Sequence, residues 1–404
     1  MPTLLKNKHI LLGITGSIAA YKAIDLASRL TQAGAQVEVI LTPAALHFLT
    51  PLTFQSVTGR KTYTEDDLWG REGHVVHIGL GKNADLLVIA PATANTLAKL
   101  AHGIADNLLT VTALAANCPI LLAPAMDGGM YLNPATQSNL EILRQRGAIL
   151  VGPEEGHLAS GLVGIGRMAE PVDLLGHVRL ALAQKGPLHG KKVVITAGGT
   201  WEPIDPVRAI TNHSSGKQGF ALAQAALDRG ATVFLITGPT HLATPIGSLR
   251  VDVQTAEEML AAVLSCSQDA DILIMAAAVA DFRPKQTANA KLKREKGIPN
   301  IQLEATPDIL VAISEQKALT GRPRVLVGFA AESQELLHNA RQKLHAKHLD
   351  LIIANDITAK DAGFAVDTNR VTILDAGGGE EPLPLMTKAE VAEVILERVG
   401  GLFG

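Results

Sequence analysis

Two clusters of polar residues in this chain combine types and spacings suited to chemistry. The first is Asn212-His213-Ser214-Ser215-Gly216-Lys217, a few residues after the strand-to-turn segment 193–200. An amide, hydroxyls, an imidazole and a lysine that enters a helix bring donors and positive charge to a helix N-terminus, where phosphate binds. The second, Gly13-Ile14-Thr15-Gly16-Ser17, follows the first apolar run of the chain. Its glycines allow a tight turn, and Ser17 is placed to cap the next helix or to bind a phosphate oxygen. Two such loops, about a domain apart, predict two nucleotide-handling units in tandem.

Other segments repeat this logic. Ala90-Pro91-Ala92-Thr93-Ala94-Asn95-Thr96 carries hydroxyls and an amide from a strand into a helix, and Thr42-Pro43 ends another strand. Three such ends on one sheet predict a single crevice. Taken alone, the first loop is equally a structural turn between strand and helix. Neither the Gly-x-Gly-x-x-Gly fingerprint nor its ribose-binding acid is present, which favours a mononucleotide over NAD, and no Walker loop occurs. In Met275-Ala276-Ala277-Ala278-Val279-Ala280-Asp281-Phe282-Arg283, small residues let a base or ribose lie against backbone. Asp281 is suited to ribose hydroxyls or a metal ion. The run Lys291-Leu292-Lys293-Arg294 reads either as a solvated face or as a partner for a triphosphate.

These residues need a scaffold, and the pattern supplies one. The chain has 404 residues, enough for two or three domains, and is 47% hydrophobic but only 3% aromatic. Its cores must therefore be built from Ala, Leu, Ile and Val, which suits helices on both faces of a parallel sheet. Strands are predicted over 10–13, 36–41, 85–90, 119–123 and 148–151, with helices over 19–33 and 134–146 among them. The segment 184–190, broken by Gly and Pro, is the linker candidate. The scheme then restarts with strands over 191–196, 232–236, 271–276, 324–329 and 351–354. Helices over 218–228, 256–265, 335–347 and 388–398 separate or follow them. Such alternation places ligand sites at the carboxyl ends of the strands.

A net charge of −3 gives no electrostatic case for nucleic acid or a membrane surface. Cys118 and Cys266 form neither a metal motif nor a disulfide framework. No signal-like segment precedes the first strand and no apolar run reaches membrane-spanning length, so a cytoplasmic enzyme is expected.

Residues 1 to about 171 resemble the homo-oligomeric flavin-containing cysteine decarboxylases. The resemblance rests on Gly13-x-x-Gly16-Ser17-Ile18-Ala19-Ala20-Tyr21-Lys22, His77-x-x-Leu80-Gly81, the Ala90–Asn95 stretch spelled out above, and Pro124-Ala125-Met126. It implies FMN held by Gly16, Ser17, Thr42, Thr93 and Asn95, with His77 as a base near the flavin, a role suited to imidazole. The bland reading of His77 is a hydrogen-bonded loop histidine, and His74 lies three residues away. In that family a cysteine thiol is oxidised, the thioaldehyde loses CO2, and the enethiolate is reduced. Two positions depart from the pattern. Asp127 stands where the family has an asparagine that holds the substrate carboxylate, and Ser160 stands where a flap cysteine donates a proton. Both are kept as catalytic candidates. Either Asp127, with His157 or Ser160, supplies the proton by another arrangement, or the domain is inert and serves assembly or regulation.

The second half resembles phosphopantothenate–cysteine ligase. Its motifs are Asp205-Pro206-Val207-Arg208, the Asn212–Lys217 run, Ala277-Ala278-Val279-Ala280-Asp281-Phe282, Lys291-x-Lys293, Val327-Gly328-Phe329-Ala330-Ala331-Glu332 and Ala354-Asn355-Asp356. The resemblance implies that the carboxylate of 4′-phosphopantothenate attacks the α-phosphate of CTP, and that cysteine then displaces CMP. Asn212 would serve the second half-reaction and Lys291 would stabilise phosphate charge. Met275, Ala276, Ala277, Asp281, Pro307, Asp308, Ile309, Leu310, Phe329, Lys343 and Lys347 would line the CTP site. Mg2+, with Asp281 as its protein ligand, would offset phosphate charge. As a whole the chain resembles the bacterial bifunctional decarboxylase/ligase of coenzyme A synthesis, one half consuming the product of the other. The fold class is α/β with two Rossmann-like domains: a flavodoxin-like flavoprotein domain over 1–185 and a Rossmann-like ligase domain over 186–404. The implied partners are small molecules and further copies of the chain: trimers through the first domain, dimers through the second, and a dodecamer combining both. The second reading is a CTP-dependent ligase carrying an inert flavin-fold domain.

Overall fold

Continuous apolar runs become buried parallel strands because helices cover both faces of each sheet. The computed structural model describes residues 4–69, 75–293, 299–332, 335–356 and 366–403. The chain divides into two compact units, Pro2–Ala183 and Gln184–Gly404.

The first unit runs β1 (His9–Ile14), α1 (Ala20–Gln32), β2 (Gln36–Leu41), α2 (Pro51–Thr58), β3 (Thr62–Tyr63), α3 (Val76–Asn83) and β4 (Leu86–Ala92). It continues with α4 (Ala94–His102), α5 (Leu108–Ala115), β5 (Ile120–Pro124), α6 (Gly128–Leu132), α7 (Pro134–Gln145) and β6 (Ile149–Leu150). A hairpin, β7 (Glu154–His157) and β8 (Val163–Arg167), precedes α8 (Pro171–Ala183). The six-stranded sheet has the order β3-β2-β1-β4-β5-β6, all parallel. With the two-residue edge strand β3 set aside, this is the flavodoxin-like order, and it reverses between β1 and β4. Alternate residues of β1 and β4 feed opposite cores. Leu12, Ile14, Val88 and Ala90 pack with α1 and α8, while Leu11, Leu87 and Ile89 pack with α4, α5 and α7.

The second unit runs β9 (Lys192–Ala197), β10 (Trp201–Asp205), β11 (Arg208–Thr211), α9 (Lys217–Leu227), β12 (Thr232–Thr237), β13 (Leu249–Asp252), α10 (Ala256–Ser267) and β14 (Ile272–Met275). Then come β15 (Phe282–Pro284), β16 (Leu303–Ala305), α11 (Ile309–Thr320), β17 (Val325–Glu332), α12 (Leu336–Ala346) and β18 (Leu351–Asp356). Last are β19 (Thr368–Asn369), β20 (Val371–Asp375), β21 (Glu380–Pro382), β22 (Met386–Thr387) and α13 (Lys388–Gly400). The main sheet has the order β13-β12-β9-β14-β17-β18-β20-β21. Its first six strands are parallel in the doubly wound order, which reverses between β9 and β14, and β20 and β21 add antiparallel. The hairpins β7–β8 and β10–β11 were not expected. For the second, Asp205-Pro206 was a legible turn signal, with Asp before Pro as in a type I turn. Treating Asp-Pro-Val-Arg only as a motif hid it.

At both reversals, buried threonine hydroxyls tie the strand ends together. In the first unit Thr15 Oγ1 donates to the Pro91 carbonyl (2.7 Å) and accepts from Thr93 N–H (3.1 Å), which joins the end of β1 to the end of β4. Thr42 Oγ1 donates to the Ile14 carbonyl (3.1 Å) and so adds the end of β2. In the second unit Thr196 Oγ1 accepts from Ala277 N–H (3.1 Å) and Thr200 Oγ1 from Ala280 N–H (2.9 Å). The backbones close up between them: a Cβ on Gly238 would lie 2.2 Å from the Gly199 carbonyl oxygen, so only glycine fits there.

Replacing Thr200 with Val should leave Ala280 N–H buried and unpaired. The expected loss is about 1–3 kcal/mol, read as a lower urea midpoint at unchanged slope for the transition of the second unit.

Candidate functional sites

The first unit gathers its candidates at the carboxyl ends of β1, β2 and β4. Thr93 caps α4, its hydroxyl accepting from Thr96 N–H (3.4 Å), and Asn95 is exposed in the first turn of that helix. Thr42 belongs to the same bonded set of strand ends. Gly16 must be glycine because a Cβ would come within 2.5 Å of Ala44 Cβ. Ser17 does not cap α1. The N-cap is Ala19, with no side-chain hydrogen bond, and Ser17 Oγ accepts from Ala19 N–H (3.3 Å) in the preceding turn. The set therefore offers neutral hydroxyl and amide donors beside two helix N-termini, which fits a phosphate monoester such as that of FMN. Lys22, part of the same stretch, is structural. It is buried and donates to the Met168 carbonyl (2.9 Å) and Glu170 Oε1 (2.7 Å), which anchors the exit from the β7–β8 hairpin.

His77 is half-buried in the first turn of α3, which packs chiefly on α5. His74 lies outside the described residues. The two departures from the decarboxylase pattern touch each other. Ser160 Oγ donates to Asp127 Oδ2 (2.8 Å), and Asp127 Oδ1 accepts from Gly129 N–H (2.9 Å) as the cap of α6. The Ser160 hydroxyl, with the Gly129 amide, holds the Asp127 carboxyl below the usual carboxylate range. This favours the ionised form of Asp127, which by itself carries no proton to donate. The base of the hairpin is fixed independently. Met126 N–H donates to the Gly166 carbonyl (3.1 Å), and a Cβ on Gly166 (φ +147°) would lie 2.1 Å from the Met126 carbonyl oxygen. Burial pushes the Cys118 thiol up, so it offers no substitute for the missing flap cysteine.

The second unit holds a cavity of about 610 Å3 at its sheet reversal. Of the expected residues, Asn212, Met275, Ala276, Ala277, Asp281, Pro307, Asp308, Ile309, Leu310, Phe329 and Lys343 form its wall. Lys291 and Lys347 are not among the lining residues. Lys347 reaches the wall through Asp308, with Nζ donating to Asp308 Oδ2 (2.5 Å), while Asp308 Oδ1 caps α11 by accepting from Val311 N–H (3.1 Å). Lys343 Nζ donates to the Phe329 carbonyl (3.2 Å). Asn212 Nδ2 donates to the Val279 carbonyl (2.9 Å), which ties its loop to the segment after β14. The strand-to-turn segment 196–200 does not line the cavity. Its threonines and glycines are the floor on which the lining loops rest.

Gly216, in the left-handed region at φ +76°, opens α9, and Lys217 follows it onto the wall as expected, paired with Asp367 (2.6 Å). Thr306, Asn369 and Lys388 line the cavity without having been singled out by any motif, and Asn355 lines it from the Ala354-Asn355-Asp356 motif. Lys388 is buried at the start of α13, where Thr387 and Glu390 form a capping box. Burial, then the neighbouring Lys217, lowers its pKa. Its helix was legible, but its place at the cavity depends on the crossing of α13 over α9. Asn355, nine-tenths buried at the end of β18, has a side-chain oxygen with no hydrogen-bond partner among the described residues. A donor on a ligand would satisfy it.

The cationic loop at Lys291 is strapped down. Asp205, buried, accepts from Arg208 Nε (3.0 Å) and Nη2 (2.5 Å), from Val207 and Arg208 N–H (2.8 and 2.9 Å) and from Leu292 N–H (3.1 Å). Arg208 Nη2 also donates to the Leu292 carbonyl (2.7 Å). Lys291 and Lys293 flank that residue and are exposed, and Arg294 lies outside the described residues. Among the described residues no group of three His, Cys, Asp or Glu could hold a metal ion, and no helix is long and apolar enough to cross a membrane.

Two family models match this chain: a flavoprotein domain over residues 1–182 and a DNA/pantothenate metabolism flavoprotein C-terminal domain over residues 188–402. The chain is 47% identical over 402 residues to the coenzyme A biosynthesis bifunctional protein CoaBC of Bacillus subtilis (strain 168), with 99% of this chain and 98% of that protein covered. It is 45% identical over 404 residues to the protein of the same name from Vibrio vulnificus (strain CMCP6), with 99% of each covered. A solved C-terminal domain of CoaBC is 40% identical, covering 54% of this chain and 98% of that one, with a TM-score of 0.46.

The Asp205 cluster carries a pH dependence. Arg208 foremost, with the surrounding amides, holds the Asp205 carboxyl far below its ordinary 3.8. A carboxyl depressed on folding stabilises the fold above its unfolded value, and that stabilisation is lost as pH falls through the folded value. The stability advantage of the wild type over Asp205→Asn should therefore be full at about pH 5 and above, and shrink steadily at about pH 4 and below. Urea unfolding across that range reads it, and a gap that is flat or widens in acid would contradict the assignment.

Proposed function

This chain belongs to the family of bifunctional coenzyme A biosynthesis proteins, and from that premise we propose how its two units divide the work. The second unit joins 4′-phosphopantothenate to cysteine at the expense of CTP. The first decarboxylates the product, phosphopantothenoylcysteine, with FMN. The observation that carries the ligase assignment is the cavity at the β9/β14 reversal, where Asn212, Asp281 and Phe329 share one wall.

In the ligase, Ala276 and Ala277 leave room for nucleotide against backbone, and the start of α11 with Phe329 and Lys343 forms the nucleotide side. Asp281 faces ribose hydroxyls or a Mg2+ ion brought in by the triphosphate. The substrate carboxylate attacks the α-phosphorus of CTP, a P–O bond forms, and pyrophosphate leaves. Lys291, from its strapped loop, offsets the developing phosphate charge. The cysteine amine then attacks the acyl carbon, a C–N bond forms, and CMP leaves. Asn212, oriented by Val279, positions that second attack.

In the decarboxylase, FMN supplies oxidation of the substrate thiol when bound. Ser17, Thr93 and Asn95 are the donors suited to its phosphate, and His77 takes the thiol proton. Asp127, held as a carboxylate by Ser160 and Gly129, orders the tip of the hairpin instead of donating a proton. His157, exposed at the end of β7, is then the proton carrier nearest the tip. The family resemblance also supports a cytoplasmic homo-oligomer, trimeric through the first unit and dimeric through the second.

Wild-type protein given CTP, Mg2+ and 4′-phosphopantothenate should release pyrophosphate. Lys291→Gln should cut that release by about a hundredfold, while Asn212→Asp should let the acyl-cytidylate accumulate; normal amide formation by both variants would defeat the assignment. Given phosphopantothenoylcysteine, the wild type should evolve CO2. The His157→Gln variant should then release unreduced enethiol, detected by product mass. A wild type that binds FMN yet evolves no CO2 would sink the decarboxylase reading.

A further inference from the structure

The Asp-Pro-Val-Arg hairpin takes no part in the wall of the cavity, yet it carries a buried carboxylate with five donors. Four of those donors are local, from Val207 and Arg208, and make the turn rigid. The fifth, Leu292 N–H, comes from 87 residues further along the chain. Arg208 then grips the carbonyl of the same residue, so both polar groups of one peptide position are held by one ion pair. The strapping continues upstream: Thr287 Oγ1 donates to the Pro203 carbonyl (3.1 Å) and Ala288 N–H to the Ile204 carbonyl (3.0 Å). Segment 287–292 thus runs along β10 and is locked at its far end beside Lys291.

A long, exposed lysine gains precision only from its backbone, since its side chain has many rotamers to lose. We propose that Asp205 is a positioning residue for nucleotide activation: through Arg208 and the Leu292 backbone it fixes where Lys291 starts. This rests on the reading of the second unit as a CTP-dependent ligase with Lys291 at the phosphates. Asp205 itself touches no substrate. Its carboxylate orders a peptide, and the peptide aims the charge. Misplacing a catalytic group by about 1 Å costs on the order of a hundredfold in rate, so the expected effect of loosening the bracket is of that size.

The test uses the full chain and separates the two half-reactions. Asp205→Asn should slow pyrophosphate release from CTP and 4′-phosphopantothenate by about a hundredfold. It should leave transfer of the acyl group from preformed acyl-cytidylate to cysteine within about twofold. Added to Lys291→Gln, it should cost almost nothing more, because there is no longer a charge to aim. Arg208→Lys, on an exposed side chain, keeps the turn and loses the fork, and should show the same pattern more weakly. Hydrogen exchange of the peptide over 285–293, measured without substrate, should speed up in Asp205→Asn and not in Lys291→Gln. Additive losses, equal losses in both half-reactions, or unchanged exchange would each overturn the proposal. If the wild type releases no pyrophosphate, the ligase reading fails instead, and the exchange measurement still judges the bracket.

Discussion

Both units depend on one constraint: the carboxyl ends of neighbouring parallel strands must be brought within hydrogen-bond reach where the sheet order reverses. Loops leave a reversal in opposite directions and open a crevice there, so their backbone amides lose the ladder partners that a strand would supply. In the first unit Thr15 and Thr42 provide those partners, and in the second Thr196 and Thr200 do. A threonine hydroxyl suits the task because it donates and accepts at once, on a side chain whose branching already favours a strand. The surrounding glycines follow from the same need, since four chain segments crowd a space that has no room for a Cβ.

The floor explains why the lining above can be so varied. In the second unit, the segments after β11, β14 and β16 and residues of β17 and β18 themselves meet at one cavity. Charge is placed there sparingly. Lys217 pairs with Asp367, and Lys347 with Asp308. In a protein of net charge −3, anion recognition is thus a matter of where each cation is held. Salt bridges of this exposure add little to stability; what they fix is geometry.

In the first unit the same economy appears at the hairpin. Asp127 and Ser160, the two positions read as departures from the cysteine decarboxylase pattern, bond to each other. Read along the chain, the two positions left open a different proton supply or an inert domain. Side by side they form a carboxylate and hydroxyl pair that joins the hairpin tip to the loop after β5. The pairing became visible only in three dimensions, because 33 residues and the whole of α7 separate the partners.

Much was determined by local sequence. The alternating apolar runs set the strands and main helices, because burial on both faces of a parallel sheet demands continuous hydrophobic segments. The capping and phosphate-type loops set where ligand chemistry could lie, because helix N-termini follow strand ends in every βα unit. What tertiary structure decided was which of those loops face ligand and which support the others. The segment 196–200 is absent from the cavity wall, the backbone beside Lys291 is held by Asp205 and Arg208, and Lys388, Asn369 and Asn355 reach the site from the last fifty residues. Each outcome depends on hydrogen bonds between segments about 80 or more residues apart, or on a crossing of helices. No periodicity or local motif encodes such pairings, because they are set by the order in which the sheet is wound.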